Sequence, residues 1–113
     1  MSSSVPEKGD VVLISFNPQS GHEQAGETRP ALVISPSGFN DKTGFAVVCP
    51  ITNQKKGYPF EVDVDGANRT TGVVLADQFK SLDWKSRNAR KVDSVNNETL
   101  KSVRDLITTI VNA

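Results

Sequence analysis

The chain has 113 residues, 36% of them apolar and 23% charged, with Lys+Arg and Asp+Glu both at 13. That length suits one domain (1–113) with a single core, and the even charge excludes a globally basic nucleic-acid binder while leaving room for a local basic site. The single cysteine excludes an internal disulfide, no segment has the length of a membrane span, and residues 1–6 lack the apolar stretch of a signal peptide. A cytoplasmic protein with a flexible N-terminus over residues 1–8 is expected.

Short β-branched runs separated by turn residues predict strands over 10–16, 31–35, 45–51, 60–64 and 72–77, with Val92 and its neighbours a short sixth. Between the first two lies Gly21-His22-Glu23-Gln24-Ala25-Gly26-Glu27-Thr28-Arg29-Pro30. It packs an imidazole, carboxylates, an amide and a guanidinium into one loop, and loops held by rigid strands are where functional groups are displayed. Asn40-Asp41-Lys42-Thr43-Gly44 and Asp65-Gly66 predict hairpin turns, because Asn, Asp and Gly tolerate positive φ. Pro18, Pro30, Pro36, Pro50 and Pro59 fall at run edges, where a missing backbone donor costs least. Cys49, inside an apolar run, reads as a buried small hydrophobe. Residues 81–88 suit a short helix carrying Trp84. Beyond residue 96 the period changes. Leu100, Val103, Ile107, Ile110 and Val111 share one helical face, with Asn96 as cap and Glu98 in the first turn. Strands closed by a terminal helix predict a mainly β fold, a small antiparallel barrel with a C-terminal α-helix.

The chemistry of single residues leaves alternatives open. Arg29, pushed toward extended backbone by Pro30, can hold a phosphate bidentately or pair with Glu23 or Glu27 at the surface. Thr52, at a strand end beside Lys55 and Lys56, can donate to a phosphate or cap a turn. His22, the only histidine, has an ordinary pKa near about 6.5 that suits general acid–base work. Glu23, Glu27 and Asp77 can act as bases or orient Arg29. Lys55, Lys56, Tyr58, Lys80, Trp84 and Arg87 interleave charge with aromatic rings, as single-stranded nucleic-acid surfaces do. The basic run from Lys80 to Lys91 can equally be a solvated face. No metal-ligand cluster stands out, so side-chain acid–base and phosphate chemistry is the natural fit.

Six blocks in order resemble the MazF/PemK family of toxin endoribonucleases, closest to its MazF branch. They are Gly9-Asp10-Val11-Val12 with Phe16-Asn17-Pro18; Gly21-His22-Glu23-Gln24-Ala25-Gly26; Arg29-Pro30-Ala31-Leu32-Val33-Ile34-Ser35-Pro36; Val48-Cys49-Pro50-Ile51-Thr52; Lys56-Gly57-Tyr58-Pro59-Phe60-Glu61-Val62; and Gly72-Val73-Val74-Leu75-Ala76-Asp77-Gln78. The resemblance implies an SH3-like barrel and a homodimer. It also implies sequence-specific cleavage of single-stranded RNA with no metal or cofactor, the ribose 2′-OH attacking the adjacent phosphorus. The implied partner is an antitoxin whose acidic, disordered tail lies in a groove of the toxin dimer. Apolar positions over 72–79, taken as exposed, suit such a dimer. By resemblance Arg29, Thr52 and Glu23 are catalytic. His22 and Asp77 match residues assigned to catalysis in the PemK branch, but Leu75 stands where that branch has an arginine, which favours the MazF-like arrangement. Phe16, Asn17, Gln24, Lys55, Lys56, Gln78 and Lys80 are the expected RNA contacts. Two other classes fit such a barrel: a non-cleaving SH3-like RNA-binding module, and a CcdB-like gyrase poison, although the Trp-Gly-Ile ending of CcdB is replaced here by Ile110-Val111-Asn112-Ala113.

Overall fold

The computed structural model describes residues 4–16 and 28–113. The elements run β1 (Asp10–Ser15), β2 (Thr28–Val33), α1 (Ser37–Thr43), β3 (Ala46–Thr52), β4 (Glu61–Asp63), β5 (Val73–Leu75), a 3-10 turn (Ala76–Gln78), β6 (Lys80–Leu82), β7 (Arg90–Ser94) and α2 (Asn97–Asn112). All strands pair antiparallel, in the order β4-β5-β3-β2-β1-β7, with β6 also against β3. None of the helices described is long and apolar enough to cross a membrane.

Both faces of this sheet are covered, which is why its central strands read as apolar runs rather than alternations. Val12, Ile14, Ala31, Val33, Ala46 and Val48 face one cluster, closed by Leu82 and Trp84. Val11, Leu32, Cys49, Ile51, Val74 and Ala76 face the other, closed by Val103 of α2. α2 begins as expected: the Asn96 side chain accepts the Thr99 N–H at 2.8 Å and Glu98 lies in the first turn. Its apolar stripe is buried at Leu100 and Val103 and fades to an exposed Val111.

The expected closed barrel is not closed by strand pairing, because β4 and β7 end the sheet without pairing to each other. A side chain bridges the gap instead. Asp93 of β7 accepts the N–H groups of Asn68 at 2.9 Å, Arg69 at 2.8 Å and Thr70 at 2.8 Å, all in the connection between β4 and β5. The same connection meets α2 at Gly66 (φ +79), where a Cβ would lie 2.6 Å from Asn96 Cβ.

Three expectations are corrected. Residues 40–44 form no hairpin turn but the end of α1, with Gly44 (φ +77) as its left-handed C-cap. The cause is tertiary. The fully buried Asn40 donates from Nδ2 to the Pro6 carbonyl at 2.8 Å and the Ser35 carbonyl at 3.1 Å, and its Oδ1 accepts the Ser35 hydroxyl at 2.6 Å. That network also reaches the N-terminal segment, where Pro6 is buried and Val5 packs on the first cluster. Second, 81–88 is not a helix. Its start pairs as β6 against β3, and Trp84 opens a turn ending at Asn88 (φ +54). Third, Val73, Val74 and Ala76 are buried, so the 72–79 segment is not the exposed apolar surface expected.

Pro50 shapes the site. β3 pairs with β6 over Ala46–Val48 and with β5 over Ile51 and Thr52. Proline offers no N–H to a ladder, and the break in pairing falls there. Between the two paired stretches the chain turns through Ala76–Gln78.

Candidate active site

A cavity of about 230 Å³ opens at this break. β2 contributes Arg29, the end of β3 Thr52, the following loop Gln54, Lys56 and Tyr58, β4 Glu61, β5 Leu75, and the 3-10 turn Asp77 and Gln78. Arg29 is set by its ladder pairing with Ile14. Its guanidinium lies 5.7 Å from the centre of the Phe16 ring, and Lys80 Nζ lies 5.6 Å from the same ring. Both cations are thus drawn to one aromatic ring. Among the described residues Arg29 makes no ion pair.

Thr52 takes the turn-capping role its position allows. Its Oγ1 accepts the Gln54 N–H at 3.1 Å, capping the turn, and among the described residues the hydroxyl hydrogen has no acceptor. Its backbone is pressed by Gly72, which pairs no side chain against it. At φ +110 a Cβ on Gly72 would collide with the Thr52 carbonyl oxygen and come within 2.8 Å of Asn53 Oδ1. Only glycine allows the β5 side so close at that φ.

Glu61 organises the loop above the cavity. Its Oε2 accepts the Lys56 N–H at 2.9 Å, and its Oε1 accepts those of Gly57 at 2.9 Å and Tyr58 at 3.2 Å. The Lys56 N–H, joined by those of Gly57 and Tyr58, holds this carboxyl below its ordinary range against a partial desolvation that raises it. Cys49, fully buried beneath, has its thiol pushed up to about 12 by burial and secondarily by the charge of Asp77. It stays protonated and inert.

The expected site residues Arg29, Thr52, Lys56, Asp77 and Gln78 meet in this one cavity, with Phe16 and Lys80 stacked beside Arg29. Lys55 is not among its walls; it pairs with Asp63 at 3.0 Å on the open surface. Asn17, His22, Glu23 and Gln24 lie outside the described residues. Trp84 is core rather than a stacking platform, its indole N–H donating to the Asn40 carbonyl at 2.9 Å. The basic run largely serves the fold as well. Arg87 bonds Asp83 at 2.6 Å and the Ser15 carbonyl at 2.9 Å, and Lys91 pairs with Asp10 at 3.3 Å. Gln54 and Glu61 were not foreseen. For Glu61 the only sequence signal is a carboxylate following a glycine-containing loop.

A cleft lined by the Arg29 guanidinium, the Thr52 hydroxyl and the Lys56 side chain, on a small β protein, carries groups of the kind that recognise phosphate. Comparison with known proteins agrees and goes further. The family profile of PemK-like, MazF-like toxins of type II toxin–antitoxin systems matches residues 7–111. The chain is 45% identical to the endoribonuclease toxin MazF of Escherichia coli strain K12 over 111 residues, covering 98% of each. It is 38% identical to the endoribonuclease PemK of Escherichia coli over 109 residues, 93% of this chain and 81% of that one. The crystal structure of MazF (Form-I) from Deinococcus radiodurans superposes with a TM-score of 0.86 at 43% identity, covering 98% of this chain and 100% of that one. A MazE–MazF complex (Form-II) from the same organism gives 0.84 at 38% identity, covering 96% and 97%. The chain belongs to the PemK-like, MazF-like toxin family of type II toxin–antitoxin systems, and is an endoribonuclease of that family.

Proposed function

We propose that the Arg29–Thr52 cleft cuts single-stranded RNA at short sequence motifs without a metal ion. The substrate's own 2′-OH attacks the adjacent phosphorus, and the bond to the 5′ oxygen of the next nucleotide breaks. This leaves a 2′,3′-cyclic phosphate and a 5′-OH end. The nucleophile belongs to the substrate, so the protein must position the phosphate, move two protons and neutralise charge. The observation that carries this reading is the convergence of the Arg29 guanidinium and the Thr52 hydroxyl on one cavity. Arg29 neutralises the charge that builds on the non-bridging oxygens, and Thr52 donates a hydrogen bond to one of them; a single well-aimed donor contributes about 10²–10³-fold. Lys56, Gln78, Lys80 and Phe16 flank the cleft as backbone and base contacts, with Asn17, Gln24 and Lys55 as further contacts. The proton from the 2′-OH goes to Glu23, His22 or Asp77. Cleavage assays on Glu23→Gln, His22→Gln and Asp77→Asn separate the three, since only loss of the true base removes the acid limb of the pH–rate profile.

We further propose a cytoplasmic homodimer silenced by a cognate antitoxin with an acidic, disordered tail. Solved relatives are complexes of MazF with MazE, which supports an antitoxin partner. The test is incubation of the purified protein with long single-stranded RNA in excess EDTA, with mapping of the new ends. Recurring cuts with 5′-OH ends, lost in Arg29→Ala, are expected. Intact RNA from a folded, antitoxin-free preparation would contradict the reading and point to a binding module or a gyrase poison. Light scattering on the same sample tests the dimer.

A further inference from the structure

A carboxylate in the wall of a phosphate site is a liability, because it repels the ligand it lines. Glu61 stands in the wall of this cavity with Arg29 and Thr52, and its hydrogen bonds explain its presence. Both oxygens are engaged: Lys56 on one, Gly57 and Tyr58 on the other. Three successive backbone N–H groups pointing at one anion form a nest, and Gly57 at φ +82 supplies the left-handed backbone that curls the chain around it. The nest lies between β3, which carries Thr52, and β4, which carries Glu61 itself. Few other contacts hold the loop, since residues 53–59 are all exposed.

We propose that Glu61 is a positioning residue for substrate binding. Its charge folds the 56–58 segment into one conformation and so presents the Lys56 and Tyr58 side chains to RNA across the Arg29–Thr52 cleft. Glu61 takes no part in proton transfer: both of its oxygens accept N–H groups, which favours the charged form. The substrate class rests on the RNA-cleaving reading, whereas the loop-ordering role does not.

Two readouts on Glu61→Gln and Glu61→Asp separate the possibilities: backbone amide hydrogen exchange by NMR, and steady-state cleavage of an RNA oligonucleotide in EDTA. Glu61→Gln removes the charge and turns one acceptor into a donor facing an N–H. We expect exchange at Lys56, Gly57 and Tyr58 to quicken at least about tenfold, with β2 and β5 amides unchanged. In cleavage, KM rises about tenfold with kcat within about threefold, the signature of lost binding rather than lost chemistry. Glu61→Asp, which keeps the charge, recovers part of both. Unchanged exchange at the three amides would overturn the proposal. So would a fall in kcat at constant KM with a lost acid limb in the pH profile, which would make Glu61 a proton carrier. If the wild type cuts no RNA, the substrate reading fails alone and the exchange arm still decides the loop role.

Discussion

Two loops flank β4, and each is gathered around one carboxylate. Before β4, Glu61 accepts the N–H groups of Lys56, Gly57 and Tyr58; after β4, Asp93 accepts those of Asn68, Arg69 and Thr70. The hydrogen-bond pattern is the same but the surroundings differ. Asp93 is 7% exposed and also receives the Thr70 hydroxyl at 2.9 Å and the Ser94 N–H at 2.9 Å. It ties the far end of the β4–β5 hairpin to β7, where no strand pairing closes the sheet. Glu61 is half-buried at the mouth of the cavity, and the loop it gathers is bare. One arrangement of donors therefore serves architecture where it bridges a loop to an unpaired sheet edge, and presentation where it borders a cleft.

The largest effect is expected at Asp93. Replacing it with Asn leaves part-buried N–H donors without the charged acceptor that had satisfied them, at a cost of about 3 kcal/mol. A urea melt measures it, and a loss below about 1 kcal/mol would erase the distinction between the two loops. The same change alters acid stability. The Asn68 N–H, with those of Arg69, Thr70 and Ser94, holds the folded Asp93 carboxyl well below the usual carboxylate range. The folded state then binds fewer protons than the unfolded chain, whose Asp titrates near about 3.9. The stabilisation is complete above that pH and is lost as pH falls toward the folded value. Asp93→Asn should flatten the stability-against-pH curve below about pH 4, whereas Glu61→Gln should flatten it far less.

Gly72→Ala comes next. Its Cβ would strike the Thr52 carbonyl at a backbone angle alanine rarely adopts, costing about 1–2 kcal/mol and shifting the Thr52 hydroxyl. Single-turnover cleavage should slow about tenfold or more; an unchanged rate in a folded variant would separate Thr52 placement from the hairpin. The smallest effect belongs to Lys55→Ala. Its ion pair with Asp63 is exposed on both sides, so stability should move by less than about 0.5 kcal/mol, while KM should rise only about threefold, as for a contact at the edge of the cleft.

The central strands were legible because Val11, Val12, Leu32, Val33 and Val48 belong to unbroken apolar runs, and such runs need no tertiary information. β6 was not, since of Lys80, Ser81 and Leu82 only the leucine is buried. α1 escaped notice because its anchor is a buried asparagine whose partners lie at Pro6 and Ser35, and a polar residue beside Asp and Gly reads locally as a turn. Arg29 and Thr52 were visible through their chemistry and the blocks around them. Glu61 was not, because a carboxylate that accepts from loop amides is recognisable only once the loop has folded back on it.

The most direct test of the central claim is the single-turnover cleavage rate, in EDTA, of the wild type, Arg29→Ala, Thr52→Ala and the double variant. If one phosphate sits between the two side chains, each single change slows cleavage by about 100-fold or more. The double variant is then little slower than the worse single, because groups acting as a unit are not additive. A folded Arg29→Ala protein that cuts the same sites at the wild-type rate would contradict the account.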